Sequence, residues 1–495
     1  MTKIQLYNTL DKKIVEFVPI NNNQARIYSC GPTVYNHAHI GNMRAFLFSD
    51  LIQRVMRTVG GYEVKWIMNI TDIDDKTIRD SAMDSAEWKE EMGEQDKENP
   101  MLNLKKFTDY YLNIFLKDIE SIGIKKEHFF AMPRATDEKF IKEMQNLIQR
   151  IYNNGYAYEN EGSVYFDVGK WRQSEKYGRL RKLDFENMKA GKRVETDEYD
   201  KDSASDFVLW KAKKDGEPFW EFSLKTDQED IIKLYGRPGW HLECSAMGAN
   251  LLGLPFDIHT GGVDLCFPHH EDEIAQSHAG YGIDPVKYWC HNEFLDVEGT
   301  KMSKSLGNFF TLKDLIEKGY DSLDVRYAII SQHYRTRFNF TLEGIDAAKK
   351  ARRRVQEFVY ELFEKADNID ESLFLDSQDF KSQVWKHLAD DLNTPRALGE
   401  IFTFINTHKN TLKNISKASR DGIIGVFEKI NDVFGCWEIN ARGEVPREMY
   451  DILKKRIYAK KEKNWKLADE LRDEIQSKGF LITKETDDEL VIRHK

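Results

Sequence analysis

Proline is scarce in this chain, 11 residues in 495, and cysteine scarcer still, with five: Cys30, Cys244, Cys266, Cys290 and Cys436. With so little proline, no low-complexity tract and 41% apolar residues, a disordered or collagen-like chain is excluded. An odd number of widely scattered cysteines excludes the dense disulfide framework of a small secreted domain and leaves thiols free for metal or substrate chemistry. No run approaches the roughly 20 apolar residues that a membrane helix needs. The opening MTKIQLYNTLDKK holds neither an apolar signal core nor an Arg/Ser-rich amphipathic pattern, so a cytoplasmic protein with no membrane partner is expected. Positive charge is not in excess either. The formal net charge of −10 argues against a surface that attracts nucleic acid everywhere, though not against local basic patches.

What is present has a clear rhythm. ARIYSC (25–30) reads as a strand stopped by Gly31-Pro32, and from His39 the apolar residues Met43, Leu47, Leu51 and Val55 recur at helical spacing. YEVKWIMNI (62–70) reads as a second strand, followed by the acidic loop TDIDDK. Such a β-α-β unit joins parallel strands, so Cys30 and Thr71 are expected at the carboxyl edge of one sheet, where ligands of open α/β sheets bind. An acidic helical stretch and mixed segments then break the pattern before it resumes in RPGWHLECSAMGANLLG, LPFDIHTGGVD and KYWCHNEFLDV. From about 311 strand signals nearly vanish, and long charged helical patterns take over.

Three constellations carry chemistry. His39-Ile40-Gly41-Asn42 opens a helix, where free backbone N–H groups and the helix dipole favour phosphate. His39 and Asn42 can add side-chain hydrogen bonds there, and Gly41 lets a ring or phosphate approach closely. In GTKMSKSLGN (299–308), Lys301 and Lys304 sit in a Gly-bounded loop, and two ammonium groups so placed can neutralise charge that builds on a triphosphate. Cys30, Cys244, His269 and Glu273 supply two thiolates, an imidazole and a carboxylate, a set that zinc accepts. His269 and Glu273, at i and i+4, share one helix face. His270, next to His269, leaves the choice of imidazole open on spacing alone.

In chain order, CGPTVYNHAHIGNMR, MNITDIDDK, PRATD, SDFVLWK, RPGWHLECSAM, DIHTGGVDLCFPHHEDEIAQS, KMSKSLGNFFTLKD and DLNTPRAL resemble the cysteinyl-tRNA synthetase family of class I aminoacyl-tRNA synthetases, from about residue 4 to about residue 475. The resemblance implies an α/β fold, with a Rossmann-like parallel-sheet catalytic domain split by an insertion and followed by α-helical tRNA-binding domains. The implied divisions are 1–80 (first half of the catalytic domain), 81–225 (a connective-peptide insertion), 226–310 (second half, with the KMSKS loop), 311–375 (helical stem-contact region) and 376–495 (helical anticodon-binding region). The implied activity is ATP-dependent formation of cysteinyl adenylate, then transfer to the terminal ribose of tRNA(Cys), with tRNA(Cys), ATP and L-cysteine as partners of a monomer.

Carried over position by position, the resemblance assigns zinc to Cys30, Cys244, His269 and Glu273. Through zinc the family reads the substrate sulfur directly; shape alone separates near-isosteres such as cysteine and serine by only about 1–3 kcal/mol. The cysteine pocket takes Gly31, Thr71 and Trp240. ATP, with Mg2+, takes His39, Gly41, Asn42, Gly261, Gly262, Asp264 and Lys304, and catalysis takes His39, Asn42, Lys301 and Lys304. Basic helical faces, Lys349, Lys350, Arg352, Arg353 and Arg354, then Lys454, Lys455, Arg456, Lys460 and Lys461, are expected to follow tRNA phosphates, unless they are solvated faces of a bundle. Trp465 is either a stacking surface or core.

The sequence also departs from the family. Asn42 stands where the first signature ends in histidine, no histidine falls between His39 and His128, and the tail lacks a Gly-Thr-Thr-Trp-like ending. Competing functions are a ligase joining cysteine to an amino-sugar, a catalytically silent tRNA-binding protein and a zinc hydrolase. The first is disfavoured by the roughly 180 residues that follow KMSKSLGN, the second by retention of His39, Lys304 and the full ligand set, and the third by four protein ligands with no assigned general base.

Overall fold

The computed structural model describes residues 2–83, 86–94, 96, 98–181, 206–226, 228, 230–301, 308–364, 371–412, 415–441, 445–485 and 490–494. An N-terminal hairpin of β1 (Gln5–Asn8) and β2 (Lys13–Glu16) precedes β3 (Gln24–Ser29), α1 (Ile40–Thr58) and β4 (Glu63–Met68). β3 and β4 pair in parallel, as the β-α-β pattern requires. β3 is buried along nearly its whole length, the mark of a strand covered on both faces. Both strands stop one or two residues earlier than the apolar runs suggest, because Cys30, Asn69 and Ile70 leave the ladder at its carboxyl edge.

Four helices follow, α2 (Asp75–Ala82), α3 (Ala86–Met92), α4 (Pro100–Ser121) and α5 (Glu138–Asn153). Next come β5 (Ala157–Asn160), β6 (Ser163–Phe166), α6 (Val168–Ser174), β7 (Phe207–Ala212), β8 (Trp220–Lys225) and β9 (Ile231–Pro238). The five strands form a separate antiparallel sheet in the order β5-β6-β7-β9-β8. It continues to Pro238, past the expected end of the insertion at 225, because β9 pairs with β7 and β8 rather than with the parallel sheet. After α7 (Trp240–Leu252), the chain re-enters the parallel sheet with β10 (Phe256–Gly262), crosses back through α8 (His269–Tyr281) and adds β11 (Val286–Asn292). The completed order is β11-β10-β3-β4, all parallel.

The remainder is mainly helical. β12 (Leu295–Val297), β13 (Thr300–Lys301), α9 (Leu312–Glu317), α10 (Ser322–Ile330) and β14 (Phe338–Phe340) lead into α11 (Leu342–Glu364), α12 (Glu371–Ala389), α13 (Thr394–His408) and α14 (Lys417–Phe434). α15 (Arg447–Lys461), α16 (Trp465–Ser477) and the hairpin β15 (Phe480–Glu485), β16 (Leu490–His494) enclose a small core of Met449, Ile452, Leu453, Ile475, Phe480 and Ile492. β14 and this hairpin correct the expectation that strands nearly vanish after 311. Among the described residues no helix is long and apolar enough to cross a membrane.

The helical region is tied to α1 by a buried ionic knot. Arg326 of α10 is fully buried and donates to Asp50 of α1 at 2.7 Å, to the Ile122 carbonyl at 2.9 Å and to the Phe434 carbonyl at 2.5 Å. Arg54, one turn along α1, donates to the same carboxylate at 2.8 Å, to the Asp432 carbonyl at 2.9 Å and to the Gly123 carbonyl at 2.6 Å. Burial alone raises the Asp50 carboxyl, but Arg54, Arg326 and His128 together outweigh it and bring it from 3.8 to about 2. His128, 3.6 Å from Asp50, is lowered by burial from 6.5 to about 4 despite that carboxylate.

Two outcomes are expected. Arg326→Ala leaves Asp50 buried with less positive charge and should cost about 3–5 kcal/mol, measured as a lower denaturation midpoint. Because the unfolded chain protonates His128 first, stability should fall as pH drops from 6.5 toward 4, with the Asp50 contribution following between 3.8 and 2. His128→Asn should flatten part of the first window; an identical slope in urea titrations would refute the assignment.

Candidate active site

From β3 the chain moves outward to β4, yet its later return as β10 falls on the opposite side of β3. Loops at the carboxyl ends of these neighbours therefore depart in opposite directions and open a crevice, the usual ligand position in such sheets. Cys30 is the first residue past β3, and its N–H donates to the Thr260 carbonyl of β10 at 3.3 Å. Gly261 and Gly262 end β10, and His269 opens α8 directly above.

Metal-type donors converge here. The candidate ligand atoms of Cys30, His269, His270 and Glu273 all lie within 4.8 Å of one another. Cys244 Sγ adds to them, 3.8 Å from Cys30 Sγ and 3.5 Å from His269 Nε2. The four expected ligands are thus brought together, with His270 as a fifth donor, its Nε2 3.2 Å from the Cys30 sulfur. The imidazoles and the carboxylate each have an outer partner. His269 meets His241 at 2.8 Å, His270 meets His291 at 2.7 Å, and Glu273 meets His259 at 2.9 Å. Thr9 closes the chain, 2.7 Å from the far nitrogen of His291. Outer contacts of this kind fix imidazole tautomers and carboxylate orientation.

The pocket favours neutral forms. Burial pushes both thiols up, Cys244 well above its usual value, pushes Glu273 up, and holds His269 and His270 well below the ordinary imidazole range. A cation among these groups would reverse the preference of the thiols and the carboxyl. Glu273 Oε1 is buried and receives no hydrogen bond, although His269 Nε2 is 3.1 Å away. A buried lone pair left so is costly unless a cation meets it, so the donor set fits a metal ion.

Beside the donors lies a tightly packed wall. Gly31 accepts no side chain, because a Cβ there would sit 1.6 Å from the Asn69 carbonyl oxygen. Its N–H donates to Asn69 Oδ1 at 2.9 Å. Thr71 bridges Thr33, and its hydroxyl donates to Glu243 at 2.6 Å. Trp240, the first residue of α7, stacks on His269 with ring centres 4.2 Å apart. Gly261 faces His270, where a Cβ would come within 2.7 Å of the ring, and Gly262 abuts the Asp264 carboxylate.

The first signature caps its own helix. The Asn42 N–H donates to His39 Nδ1, and Asn42 Oδ1 accepts the His39 N–H, both at 3.2 Å. Asparagine at this position therefore serves the capping box. Gly41 follows in the first turn. Ile40 N–H donates to the Phe310 carbonyl at 3.0 Å, so the helix start is joined to the segment just after the second signature. The Lys301 backbone pairs with Asp296; Lys304 lies outside the described residues.

Comparison with known proteins bears on the family and the fold. A family model described as "tRNA synthetases class I (C) catalytic domain" matches residues 16–350. A cysteine–tRNA ligase of Brachyspira hyodysenteriae is 42% identical, the match covering 97% of this chain and 98% of the relative. The chain belongs to the cysteine–tRNA ligase family. A Chlamydia muridarum cysteine–tRNA ligase is 40% identical over 96% of this chain and 97% of its own. Among solved structures, Mycobacterium tuberculosis methionyl-tRNA synthetase in complex with methionyl-adenylate shares the fold, with a TM-score of 0.55 and 13% identity over 83% of this chain and 90% of that one.

Sequence reasoning missed the outer shell. Thr9, His241, Glu243, His259 and His291 come from four separate segments and match no spacing rule; the available signals were that His241 and Glu243 lie just before Cys244 and that His259 and His291 lie on strands of the same sheet. The basic faces are corrected at two positions. Arg352 is bonded to Asp324 at 2.6 Å, and Arg456 is buried against Glu485, which also accepts Lys460 at 2.9 Å. Lys350, Arg353, Lys454 and Lys455 are exposed. Trp465 is 60% exposed and so is not core.

Gly31→Ala should destabilise the protein by more than about 2 kcal/mol, since backbone must move to admit the methyl group. A thermal midpoint equal to wild type would contradict the close approach.

Proposed function

We propose that this chain activates L-cysteine with ATP and transfers it to the terminal ribose of tRNA(Cys), acting as a cytoplasmic monomer. The observation that carries the reading is the meeting, at one sheet reversal, of a buried thiol-imidazole-carboxylate cluster with a phosphate-competent helix start. Cys30, Cys244, His269 and Glu273 would hold Zn2+. When bound, that ion supplies a soft Lewis acid that bonds a thiolate and discriminates against a hydroxyl. His270, held by His291, is placed to donate Nε2–H to the Cys30 sulfur. Gly31 and Thr71 line the amino-acid side of the crevice, and Trp240 walls it by stacking on His269.

The remaining chemistry is positional and electrostatic. The cysteine carboxylate oxygen attacks the α-phosphorus of ATP, and the bond to the bridging oxygen breaks so that pyrophosphate leaves. The His39 and Asn42 side chains meet the phosphates, and Lys301 and Lys304 supply positive charge as it is needed. Mg2+ arriving with ATP adds charge neutralisation. Gly261 and Gly262 leave a flat surface for adenine, and Asp264 is an acceptor for ribose hydroxyls. A tRNA ribose hydroxyl then displaces AMP from the mixed anhydride. The divisions at 80, 310 and 375 belong to the same reading, with the inserted segment carried on to Pro238 and the exposed basic residues of α11 and α15 and Trp465 facing tRNA.

Pyrophosphate exchange with each of the twenty amino acids, with and without a chelator, followed by tRNA charging, tests this. Exchange should require cysteine, disappear on metal removal and fall at least about 100-fold in Lys304→Ala. Exchange that is indifferent to cysteine, or undiminished in that variant, would overturn the reading.

A further inference from the structure

A cavity of about 900 Å3 opens between the N-terminal strand and helices α12 and α13, and no residue of the crevice described above lines it. Its size is within the roughly 300–1,000 Å3 range of small-ligand sites. Lys3, Lys381, Lys386 and Arg396 stand in its walls, with Asp390 as the one acidic lining side chain. In a chain of net charge −10 this is a local reversal of sign. Concave walls with one sign of charge concentrate counter-ions. Lys3 is held by Glu16 at 3.0 Å, but among the described residues neither Lys386 nor Arg396 meets an acidic side chain. Trp385, half-buried, gives the wall an aromatic surface, with the Lys381 ammonium 5.7 Å from its ring centre. Gln5, Gln378 and Ser382 add uncharged polar groups.

The turn beside this cavity is strained and firmly held. Asp391 and Leu392 both adopt left-handed backbone, with φ of 54° and 55°. Non-glycine residues keep that conformation only where their surroundings impose it, commonly at ligand clamps. The Asp391 carboxylate accepts the Tyr7 N–H at 2.8 Å, Arg335 Nε at 2.7 Å and the Tyr334 hydroxyl at 2.5 Å. Its own N–H donates to the Gln5 carbonyl at 3.1 Å. The strand wall and the Arg396 wall are thereby locked together.

We propose that this cavity binds a phosphorylated nucleotide unit, with the phosphate at Lys381, Lys386 and Arg396 and the base against Trp385. Lys386 and Arg396, which meet no acidic side chain among the described residues, select an anion, and the indole selects a planar ring, a pairing typical of single-stranded nucleic-acid contacts. A nucleotide of the tRNA chain and a free nucleotide share this chemistry. The cavity stands independently of the ligase reading; the test leans on that reading through the tRNA in one arm and the crevice block in the other.

The test uses full-length protein and the double variant Lys381→Gln/Lys386→Gln. In one arm, AMP is titrated by equilibrium dialysis with the crevice blocked by a non-hydrolysable cysteinyl-adenylate analogue. In the other, tRNA(Cys) binding is followed against salt. A free-nucleotide site gives one AMP equivalent in the blocked wild type, weakened at least about tenfold in the variant. A tRNA site gives about a tenfold higher Kd and a log–log salt slope shallower by about 1.5 in the variant, with pyrophosphate exchange unchanged. Trp385→Ala should weaken whichever arm responds, and Trp385→Phe should restore it. No AMP bound by the blocked wild type, together with identical tRNA affinity and slope in the variant, overturns the proposal. Failure of cysteine-dependent exchange in the wild type would sink the ligase reading; the cavity is then read without the block, as the AMP equivalent lost between wild type and Lys381→Gln/Lys386→Gln.

Discussion

The parallel ladder between β3 and β10 is the constraint on which the rest depends. Ile27, Tyr28 and Ser29 pair with Ile258, His259 and Thr260 across more than half of the matched catalytic region. Ser29 and Thr260 also share a buried hydroxyl contact of 2.7 Å. Without this pairing Cys30 and the His269–Glu273 turn would have no reason to meet. The long excursion between the two strands is tolerable because loop-closure entropy grows only slowly with length, and the excursion builds its own antiparallel sheet, whose core is continuous with residues of β3, α7 and α8. The excursion also contributes directly: Glu271 of α8 accepts the N–H groups of Gly178, Arg179 and Leu180 at 2.7–3.0 Å, so the inserted segment holds the ligand helix in place.

Five of the chain's 13 histidines build this region, two as donors and three around them, and all five are buried. Neutral imidazoles are an economical lining for such a site, since each can accept at one nitrogen and donate at the other without adding charge to a low-dielectric region. A lysine or arginine shell would compete with a metal cation; an all-apolar shell would leave carboxylate and thiolate lone pairs unmet.

The same logic of converging segments recurs at the ionic knot. Asp50 sits on the helix whose first residues carry the phosphate-competent signature, and Arg326 and Arg54 bind carbonyls at the ends of α4 and α14. A fully buried arginine is retained only when its donors are satisfied, and here one side chain fixes three segments against α1. The helical region therefore bears on the signature helix through defined bonds rather than through general packing.

Some of this was legible in the chain itself. Residues 24–70 announce a β-α-β unit because strand and helix periods depend on local alternation of apolar residues, and the i, i+4 relation of His269 and Glu273 follows from helix geometry alone. The motif order also pointed correctly to the family. Tertiary structure alone decided the rest: which strands flank β3, that β9 joins the antiparallel sheet, that His270 stands as close to Cys30 as any expected ligand, and that Arg352 and Arg456 turn inward to Asp324 and Glu485. The physical reason is one of range. Periodicity and capping are set by neighbours a few residues away, whereas a buried donor, a satisfied arginine or a strained Asp391-Leu392 turn is defined by partners brought from distant parts of the chain.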